Sequence, residues 1–298
     1  MAELTPQERS RPNKLNELTG KNWIKFTKSW FIHNPPRREE SKMLHPACFP
    51  ETLIHEFIEF FTKKYQWVFD PFLGTGSTLV SAQASLRNGI GIEIYEQYAE
   101  IARKRLQQKK LFEHHQVEEV VITGDSQNIA AIFKERNLPQ VDFCITSPPY
   151  WNQLKRSHIR QKERGEKGLD TYYGDREEDI GNIDDYRNFI REQKRIFNGV
   201  YEVLKDYGYL VVITNNVFCG GRLYPLAFDT LISLSEKWVP KDEKIWLQDD
   251  KTLLPLGIYN AWVGNRCHQY CLIFRKEPSG ATDDIVNGSR TSARAFHA

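Results

Sequence analysis

Residues 67–78 read WVFDPFLGTGST, in which an apolar run meets an acid, a proline and two glycines. The apolar run predicts a buried strand, and the residues from Ser77 onward favour a helix. Gly74 and Gly76 allow a tight turn between the two and let the backbone approach a ligand closely. A strand that passes through a short turn into a helix is typical of α/β proteins, so this stretch sets the expected fold class.

The chain repeats this alternation along most of its length. Strands are predicted at 66–69, 89–94, 119–123, 141–146, 207–214 and 268–276, with 259–263 as a partner for the last. Helices are predicted at 50–63, 77–87, 95–109, 129–136 and 185–204. Such alternation predicts a mostly parallel sheet with helices on both faces. Because ligands bind at the carboxyl ends of the strands in such sheets, the residues just after each strand are candidates for a site.

The composition excludes several classes of protein. The chain has 298 residues, 40% of them apolar, which is enough for one large core. Lys plus Arg number 41 and Asp plus Glu 39, so any surface for a polyanion must be local. Five cysteines without CxxC spacing indicate reduced thiols rather than a disulfide framework or a zinc site. The polar start and the lack of an apolar run of about 20 residues predict a soluble, intracellular protein.

Acidic residues follow three of the predicted strands. Asp70 lies in the glycine turn, Glu93 ends the second strand and Asp125 follows the third. A carboxylate at Glu93 can accept hydrogen bonds from both ribose hydroxyls, and Asp125 can accept one from the adenine amine. The turn is not a P-loop, and Leu79 replaces the third glycine of GxGxxG. Each acid alone is more often a solvated loop residue or a helix cap, but their serial placement favours a nucleoside-bearing cofactor that needs no metal.

The predicted fourth strand runs into Ser147, Pro148, Pro149 and Tyr150, followed by Trp151. Proline fixes its own backbone angle and restricts the residue before it, so Ser147 is held stiffly. The Ser147 hydroxyl and the Pro148 carbonyl form an acceptor-rich corner that suits an amine, and the Tyr150 ring offers a face for stacking. Together they predict a pocket for a flipped-out nucleobase. For the motif alone, a rigid strand exit with two core aromatic residues is the alternative.

With these motifs in this order, the chain resembles the S-adenosylmethionine-dependent amino-methyltransferases that act on DNA. The resemblance extends from about residue 30 to residue 276 and implies a Rossmann-like methyltransferase fold with an antiparallel last strand. Ser147, Pro148, Pro149 and Tyr150 match the catalytic motif of the family. Ser-Pro-Pro-Tyr is the usual motif in members that methylate N4 of cytosine, whereas Asp or Asn more often replaces the serine in those that methylate N6 of adenine.

The resemblance also implies a set of residues that bind S-adenosylmethionine. His45 and Phe49 belong to the segment that precedes the glycine turn and closes over the methionine part of the cofactor. Glu93 corresponds to the acid that binds ribose, and Asp125 to the acid on the adenine side. The full set of expected cofactor-binding residues is His45, Phe49, Asp70, Phe72, Gly74, Gly76, Ser77, Thr78, Glu93, Ile94, Asp125 and Ser126.

In this interpretation residues 1–22 form a flexible segment, 23–276 the catalytic domain and 277–298 a disordered tail. Many members in this motif order carry a long separate recognition domain, and here only the short tail follows. DNA recognition is therefore expected from insertions at about 153–183 and 217–262, from a partner chain, or from a second copy in a homodimer. The basic residues expected to contact double-stranded DNA are Lys155, Arg156, Arg160, Lys162 and Arg222.

These observations lead to one expected function and three alternatives. The expected function is methylation of N4 of cytosine in duplex DNA, for restriction-modification or regulation. The expected location is the cytoplasm of a prokaryotic, archaeal or phage-type cell, near the nucleoid. The alternatives are methylation of N6 of adenine in DNA, methylation of RNA, and a catalytically silent DNA-binding subunit. Neither a metal nor a membrane is expected to take part.

Overall fold

A computed structural model of the protein describes residues 13–34, 50–110, 117–151 and 174–278. The strands of one large sheet are β1 (Trp30–Ile32), β2 (Trp67–Asp70), β3 (Asn88–Glu93), β4 (Glu119–Thr123), β5 (Val141–Thr146), β6 (Leu204–Thr214), β9 (Val239–Leu247) and β10 (His268–Arg275). A separate ribbon consists of β7 (Val217–Cys219) and β8 (Arg222–Tyr224). The helices are α1 (Gly20–Phe26), α2 (Glu51–Phe61), α3 (Ser77–Ala84), α4 (Glu96–Lys110), α5 (Ile129–Glu135), α6 (Tyr186–Val203) and α7 (Leu226–Leu234).

The strands of the large sheet follow the order β1-β9-β10-β6-β5-β2-β3-β4. Pairing is parallel from β6 through β5, β2 and β3 to β4, whereas β10 runs antiparallel between β6 and β9. The carboxyl ends of all the parallel strands therefore lie at one edge of the sheet. This arrangement confirms the predicted α/β fold with a mostly parallel sheet and an antiparallel last strand.

Helices cover the sheet on both faces, as predicted. Along β5, Phe143 and Ile145 pack with α2 on one face, while Cys144 packs on the other face with the side chains of α5 and α6. This alternation is the two-residue period of a strand that is buried on both sides. On α6, Phe189 and Phe197 lie on the buried stripe of the helix and complete the second layer.

Residues 13–26 belong to the folded structure. The Asn16 side chain is buried and donates from Nδ2 to the Phe60 carbonyl at 2.6 Å. The Trp23 ring packs against the Phe60 ring, with the two centroids 4.9 Å apart. The expectation of a flexible start is therefore wrong for residues 13–22. Their short polar sequence gave no periodic signal, and long-range contacts with α2 decide their structure.

The strand pairing in the C-terminal half of the chain differs from the prediction. The second partner of β10 is β9, so the predicted strand at 259–263 is wrong. The expected recognition insertion at 217–262 contains α7 and β9, and its Trp238 and Trp246 are buried in the core. The β7–β8 ribbon and the loop 248–267 are not part of α7 or β9.

Candidate active site

Asp70 joins the glycine turn to the Ser-Pro-Pro-Tyr corner. It ends β2 and is 1% exposed. Its Oδ1 accepts hydrogen bonds from the Thr146 hydroxyl at 2.6 Å and from the Phe72 N–H at 2.9 Å. Its Oδ2 accepts one from the hydroxyl of Thr78, in the first turn of α3, at 2.5 Å. Because Thr146 directly precedes Ser147, the Asp70 carboxylate fixes the turn relative to the corner.

Burial raises the pKa of Asp70 from 3.8 to about 6, although Thr146, Thr78 and the Phe72 N–H favour its ionised form. The pKa of Asp70 is higher in the folded than in the unfolded protein. At pH values between these two pKa values, the folded protein therefore binds this proton more tightly than the unfolded chain does. The free energy of unfolding therefore falls as the pH rises through this window. We expect the stability of the wild type relative to Asp70→Asn to drop by roughly 2–3 kcal/mol between about pH 4 and about pH 7. Chemical denaturation of both proteins across this range measures the difference, and parallel pH profiles would contradict it.

Glu93 holds the glycine turn against the end of β3. Its Oε2 accepts a hydrogen bond from the Gly74 N–H at 2.7 Å, and its Oε1 accepts one from the Tyr95 N–H at 3.0 Å. Gly74 and Gly76 have φ angles of 55° and 86°, which glycine adopts without strain. A Cβ on Gly76 would lie 2.8 Å from the Ala102 Cβ, so α3 and α4 approach closely only because this position lacks a side chain.

A buried arginine that was not expected from the sequence supports the same turn. Arg105 of α4 is 6% exposed and donates to the Thr75 carbonyl and to the Glu51 carboxylate at the start of α2. These bonds tie two helices to the residue between the two glycines. The available signal was helical spacing, because Arg105 lies on the same buried face of a charged helix as Ala102 and Leu106.

Asp125 begins the short 3-10 turn Ser126–Asn128 that follows β4. Its Oδ1 accepts a hydrogen bond from the Gln127 N–H at 2.8 Å, and the Ser126 hydroxyl donates to the Pro71 carbonyl. Burial raises the pKa of Asp125 above its ordinary value. The three acids expected from the sequence therefore lie along one edge, at the ends of three neighbouring strands.

Ser77 is a polar residue of this edge whose bonding is incomplete. Its hydroxyl is buried and has no hydrogen-bond partner within the described ranges. It is the first residue of α3, directly after Gly76, where helical N–H groups also lack intrahelical acceptors. A buried hydroxyl without a partner is unfavourable, so Ser77 fits a polar group of a bound molecule. Ile94, directly after Glu93, is partly exposed beside this site.

Residues 174–184 cross the ends of β3 and β4. The Tyr95 hydroxyl donates to Asp179 Oδ2 at 2.9 Å, and Gln127 Nε2 donates to the Glu178 carbonyl at 3.4 Å. The Gly174 backbone lies directly against the Tyr95 ring, because a Cβ there would be 2.2 Å from its Cε1. This segment therefore covers the part of the edge that carries Tyr95 and Gln127.

The Ser-Pro-Pro-Tyr corner follows β5, and hydrogen bonds hold its polar side chains. The Ser147 hydroxyl donates to the Tyr150 hydroxyl at 2.9 Å, which donates to Gln269 Oε1 at 2.7 Å. Pro148 and Pro149 are buried, while Ser147 and Tyr150 are partly exposed. Burial raises the pKa of Tyr150, so its hydroxyl keeps its proton near neutral pH. The corner places the Ser147 oxygen at the same edge as the glycine turn.

Trp151 anchors the exit from this corner. Its φ angle of 45° is uncommon for a residue with a side chain, and such a conformation costs on the order of 1–3 kcal/mol. Its indole N–H donates to the Asp184 carbonyl at 3.1 Å. Its ring packs against Tyr186 and Tyr224, with centroids 5.0 Å and 4.5 Å away. The second aromatic residue of the motif is therefore packed into the protein.

Several expected site residues lie outside the described ranges, namely His45, Phe49, Lys155, Arg156, Arg160 and Lys162. Arg222 is described and is exposed on β8. Its guanidinium carbon lies 5.4 Å from the centre of the Tyr224 ring, which in turn contacts Trp151. The ribbon that carries Arg222 is thus packed beside the Ser-Pro-Pro-Tyr corner.

The side chains that the structure describes include no cluster of three or more His, Cys, Asp or Glu that could hold a metal ion. Among the helices of the same ranges, none combines the length and apolar character needed to cross a bilayer. The cysteines in these ranges are free thiols, and Cys144 and Cys271 are buried.

The glycine turn, the acids at the strand ends and the Ser-Pro-Pro-Tyr corner therefore lie together at one edge of the sheet. A family model described as DNA methylase, covering N6 and N4 methyltransferases, matches residues 3–104 and 141–291. The match includes most of the chain, and the chain therefore belongs to this DNA methylase family. The family inferred from the motifs is confirmed.

Curated relatives match shorter segments. The type II methyltransferase M.HinfI of Haemophilus influenzae is 43% identical over 72 residues, which is 24% of this chain and 20% of that protein. The type II methyltransferase M2.DpnII of Streptococcus pneumoniae is 43% identical over 63 residues, which is 21% of this chain and 24% of that protein. The chain thus matches about a quarter or less of the length of these relatives. The solved structure of TrmN from Thermus thermophilus has a TM-score of 0.47 and 12% identity, and the match covers 76% of this chain and 48% of that one.

Proposed function

We propose that this protein transfers a methyl group from S-adenosylmethionine to the exocyclic N4 amine of a cytosine flipped out of duplex DNA. The observation that carries the proposal is the position of Ser147 at the end of β5. The neighbouring Thr146 is bonded to Asp70, and Asp70 is bonded to Thr78 at the glycine turn. A base held at Ser147 would therefore lie beside a cofactor held at the turn. Membership of the N6/N4 family supports an exocyclic amine as the acceptor.

The residues at the carboxyl ends of the parallel strands fit a nucleoside-bearing cofactor. S-adenosylmethionine supplies, when bound, an electrophilic methyl group. Glu93 would accept hydrogen bonds from the ribose, and Asp125 would accept one from the adenine amine. The buried hydroxyl of Ser77 would gain a partner from a polar group of the cofactor.

Ser147 would accept a hydrogen bond from the cytosine amine, and the Pro148 carbonyl would accept another. The lone pair of this amine is delocalised into the ring, which makes the nitrogen a poor nucleophile. Acceptors placed on its N–H groups favour a pyramidal nitrogen whose lone pair can attack. Burial raises the pKa of the Cys144 thiol within β5, and attack by an exocyclic nitrogen needs no covalent cysteine adduct.

The loop 248–267 is proposed to contact DNA, because it leaves β9 at the same edge as the corner. It carries Tyr259 and Trp262, which are 99% and 94% exposed. The Leu254 N–H donates to Asn265 Oδ1 at 2.9 Å, and Asn265 Nδ2 donates to the Leu254 carbonyl at 2.8 Å. These two bonds close the base of the loop. Exposed aromatic rings on a closed loop can stack on bases or insert between them.

The basic residues after the corner, together with Arg222, are proposed to contact phosphates and so to position the duplex. A role in restriction-modification is proposed because M.HinfI and M2.DpnII are named as type II methyltransferases. A homodimer would let a second copy supply further DNA contacts.

One assay tests the proposed reaction. The purified protein is incubated with methyl-labelled S-adenosylmethionine and mixed-sequence duplex DNA, and the digested nucleosides are analysed by mass spectrometry. N4-methyldeoxycytidine is the expected product. N6-methyldeoxyadenosine would show that the serine does not select the base. Labelled nucleosides from a parallel reaction with RNA, without label in DNA, would show that RNA is the substrate. No label in either, with cofactor binding absent by calorimetry, would favour a silent subunit.

Trp262→Ala is expected to weaken duplex binding about 10-fold, because one stacking interaction is lost. Folding and cofactor affinity should not change, since the side chain is 94% exposed. Fluorescence anisotropy with a labelled duplex gives the dissociation constant. Tyr65→Ala is the matched control, because Tyr65 is 59% exposed and precedes β2 at the opposite edge of the sheet. Equal effects of the two substitutions would contradict a specific role for the loop.

A further inference from the structure

Gln269 ends a chain of hydrogen bonds that begins at Ser147. The Ser147 hydroxyl donates to the Tyr150 hydroxyl at 2.9 Å, and the Tyr150 hydroxyl donates to Gln269 Oε1 at 2.7 Å. Gln269 lies near the start of β10, where it pairs with Trp246 of β9. The backbone of the final acceptor is therefore fixed by the sheet, whereas Ser147 and Tyr150 lie in the connection after β5.

The phenol carries a single proton, and this sets the direction of the whole chain. When Tyr150 donates its proton to Gln269, its oxygen can only accept the hydrogen bond from Ser147. The Ser147 proton then points at Tyr150, and the lone pairs of the serine oxygen point away from it. Because Ser147 is partly exposed, these lone pairs are available to a molecule bound at the carboxyl ends of the strands.

The orientation of the Ser147 hydroxyl matters for the chemistry of the target. An amino group has protons to donate and needs an acceptor, whereas a carbonyl at the same ring position needs a donor. Without an acceptor at residue 269, Tyr150 can turn its proton toward Ser147. Ser147 would then direct its own proton outward. This proton would face the N–H groups of an amine unfavourably, whereas it could be donated to a carbonyl.

We propose that Gln269 is a positioning residue that orients the Ser147 hydroxyl, through Tyr150, as the acceptor for the target amine. The inference rests on the proposed transfer of a methyl group to an exocyclic amine. Loss of Gln269 should lower the rate of turnover rather than cofactor affinity, because Asp70 and Glu93 hold the glycine turn through separate hydrogen bonds. Loss of one oriented hydrogen bond at the reacting group corresponds to about a 10- to 100-fold decrease in kcat.

The experiment is a double-mutant cycle on the full chain. Gln269→Leu, Tyr150→Phe and the double variant are compared with the wild type for kcat and KM on duplex DNA and for S-adenosylmethionine affinity. Each single variant is expected to lower kcat about 10- to 100-fold, with cofactor affinity within about twofold of wild type. Because Gln269 acts only through the phenol hydroxyl, the double variant should be no slower than the slower single variant. Gln107→Leu, at an exposed glutamine on α4, is the control for the type of substitution.

Rescue by a conservative change separates orientation from packing. Gln269→Glu keeps an acceptor and removes the N–H groups, so it should restore most of the kcat that Gln269→Leu loses. Failure of this rescue in a folded variant would overturn the proposal, because an acceptor at residue 269 would then not be sufficient. Losses that multiply in the double variant would also overturn it, and so would wild-type kcat in Gln269→Leu. If the wild type itself transfers no methyl group to DNA or RNA, the proposed function fails and the inference fails with it.

Discussion

Ser147→Ala is expected to lower kcat about 1,000-fold and to leave S-adenosylmethionine affinity within about twofold of the wild type. The variant lacks the oxygen that accepts the hydrogen bond of the target amine. Alanine keeps the backbone of the corner, which Pro148 and Pro149 restrain, and removes only the hydroxyl that donates to Tyr150. The loss should therefore concern the transition state rather than the binding of the cofactor.

Three measurements separate these effects. Single-turnover methyl transfer gives the rate of the chemical step, calorimetry gives cofactor affinity, and thermal unfolding shows whether the variant is folded. Ser235→Ala is a matched control, because Ser235 is an exposed serine at the end of α7. A Ser147→Ala protein with full turnover would remove Ser147 from the mechanism. A folded variant that had lost cofactor affinity instead would assign Ser147 to the cofactor.

The sequence allowed most of the parallel half of the sheet to be predicted, because β2, β3 and β5 are almost entirely buried and read as short apolar runs. The predicted bounds of β4 and β5 agree with the structure to the residue. β9 was missed because residues 239–247 read VPKDEKIWL, in which only Lys244 and Trp246 are buried. A strand whose first half is exposed and whose second half buries a lysine lacks the apolar run that predicts a strand. Its strand conformation comes instead from backbone pairing with β10 and β1.

The positions of the site residues could be predicted for a topological reason. Parallel strands place their carboxyl ends at one edge, so the acids at the ends of β2 and β3 and after β4 lie at the same edge as the corner after β5. Their partners could not be predicted in the same way. Arg105 bonds to Thr75, which is 30 residues away, and Gln269 bonds to Tyr150, which is 119 residues away. No local period or spacing encodes contacts over such distances.

Glu93→Ala is expected to weaken S-adenosylmethionine binding about 100-fold, for two reasons. The ribose would lose its carboxylate acceptor. In addition, the Gly74 N–H would lose the buried hydrogen bond at 2.7 Å that holds the glycine turn on β3. Glu93→Gln should fall between the wild type and Glu93→Ala, because its amide retains one oxygen acceptor but presents N–H groups at the other position.

Isothermal titration of each variant with S-adenosylmethionine measures this effect without any need for turnover. Glu135→Ala is the matched control, since Glu135 is an exposed acid at the end of α5. A decrease in unfolding temperature without ligand, accompanied by wild-type affinity at low temperature, would assign Glu93 to the turn alone. Wild-type affinity and wild-type stability in Glu93→Ala would show that the cofactor is not held at the end of β3. The combined loss of affinity and turn stability is expected because the same carboxylate that would face the ribose also fixes the backbone beneath it.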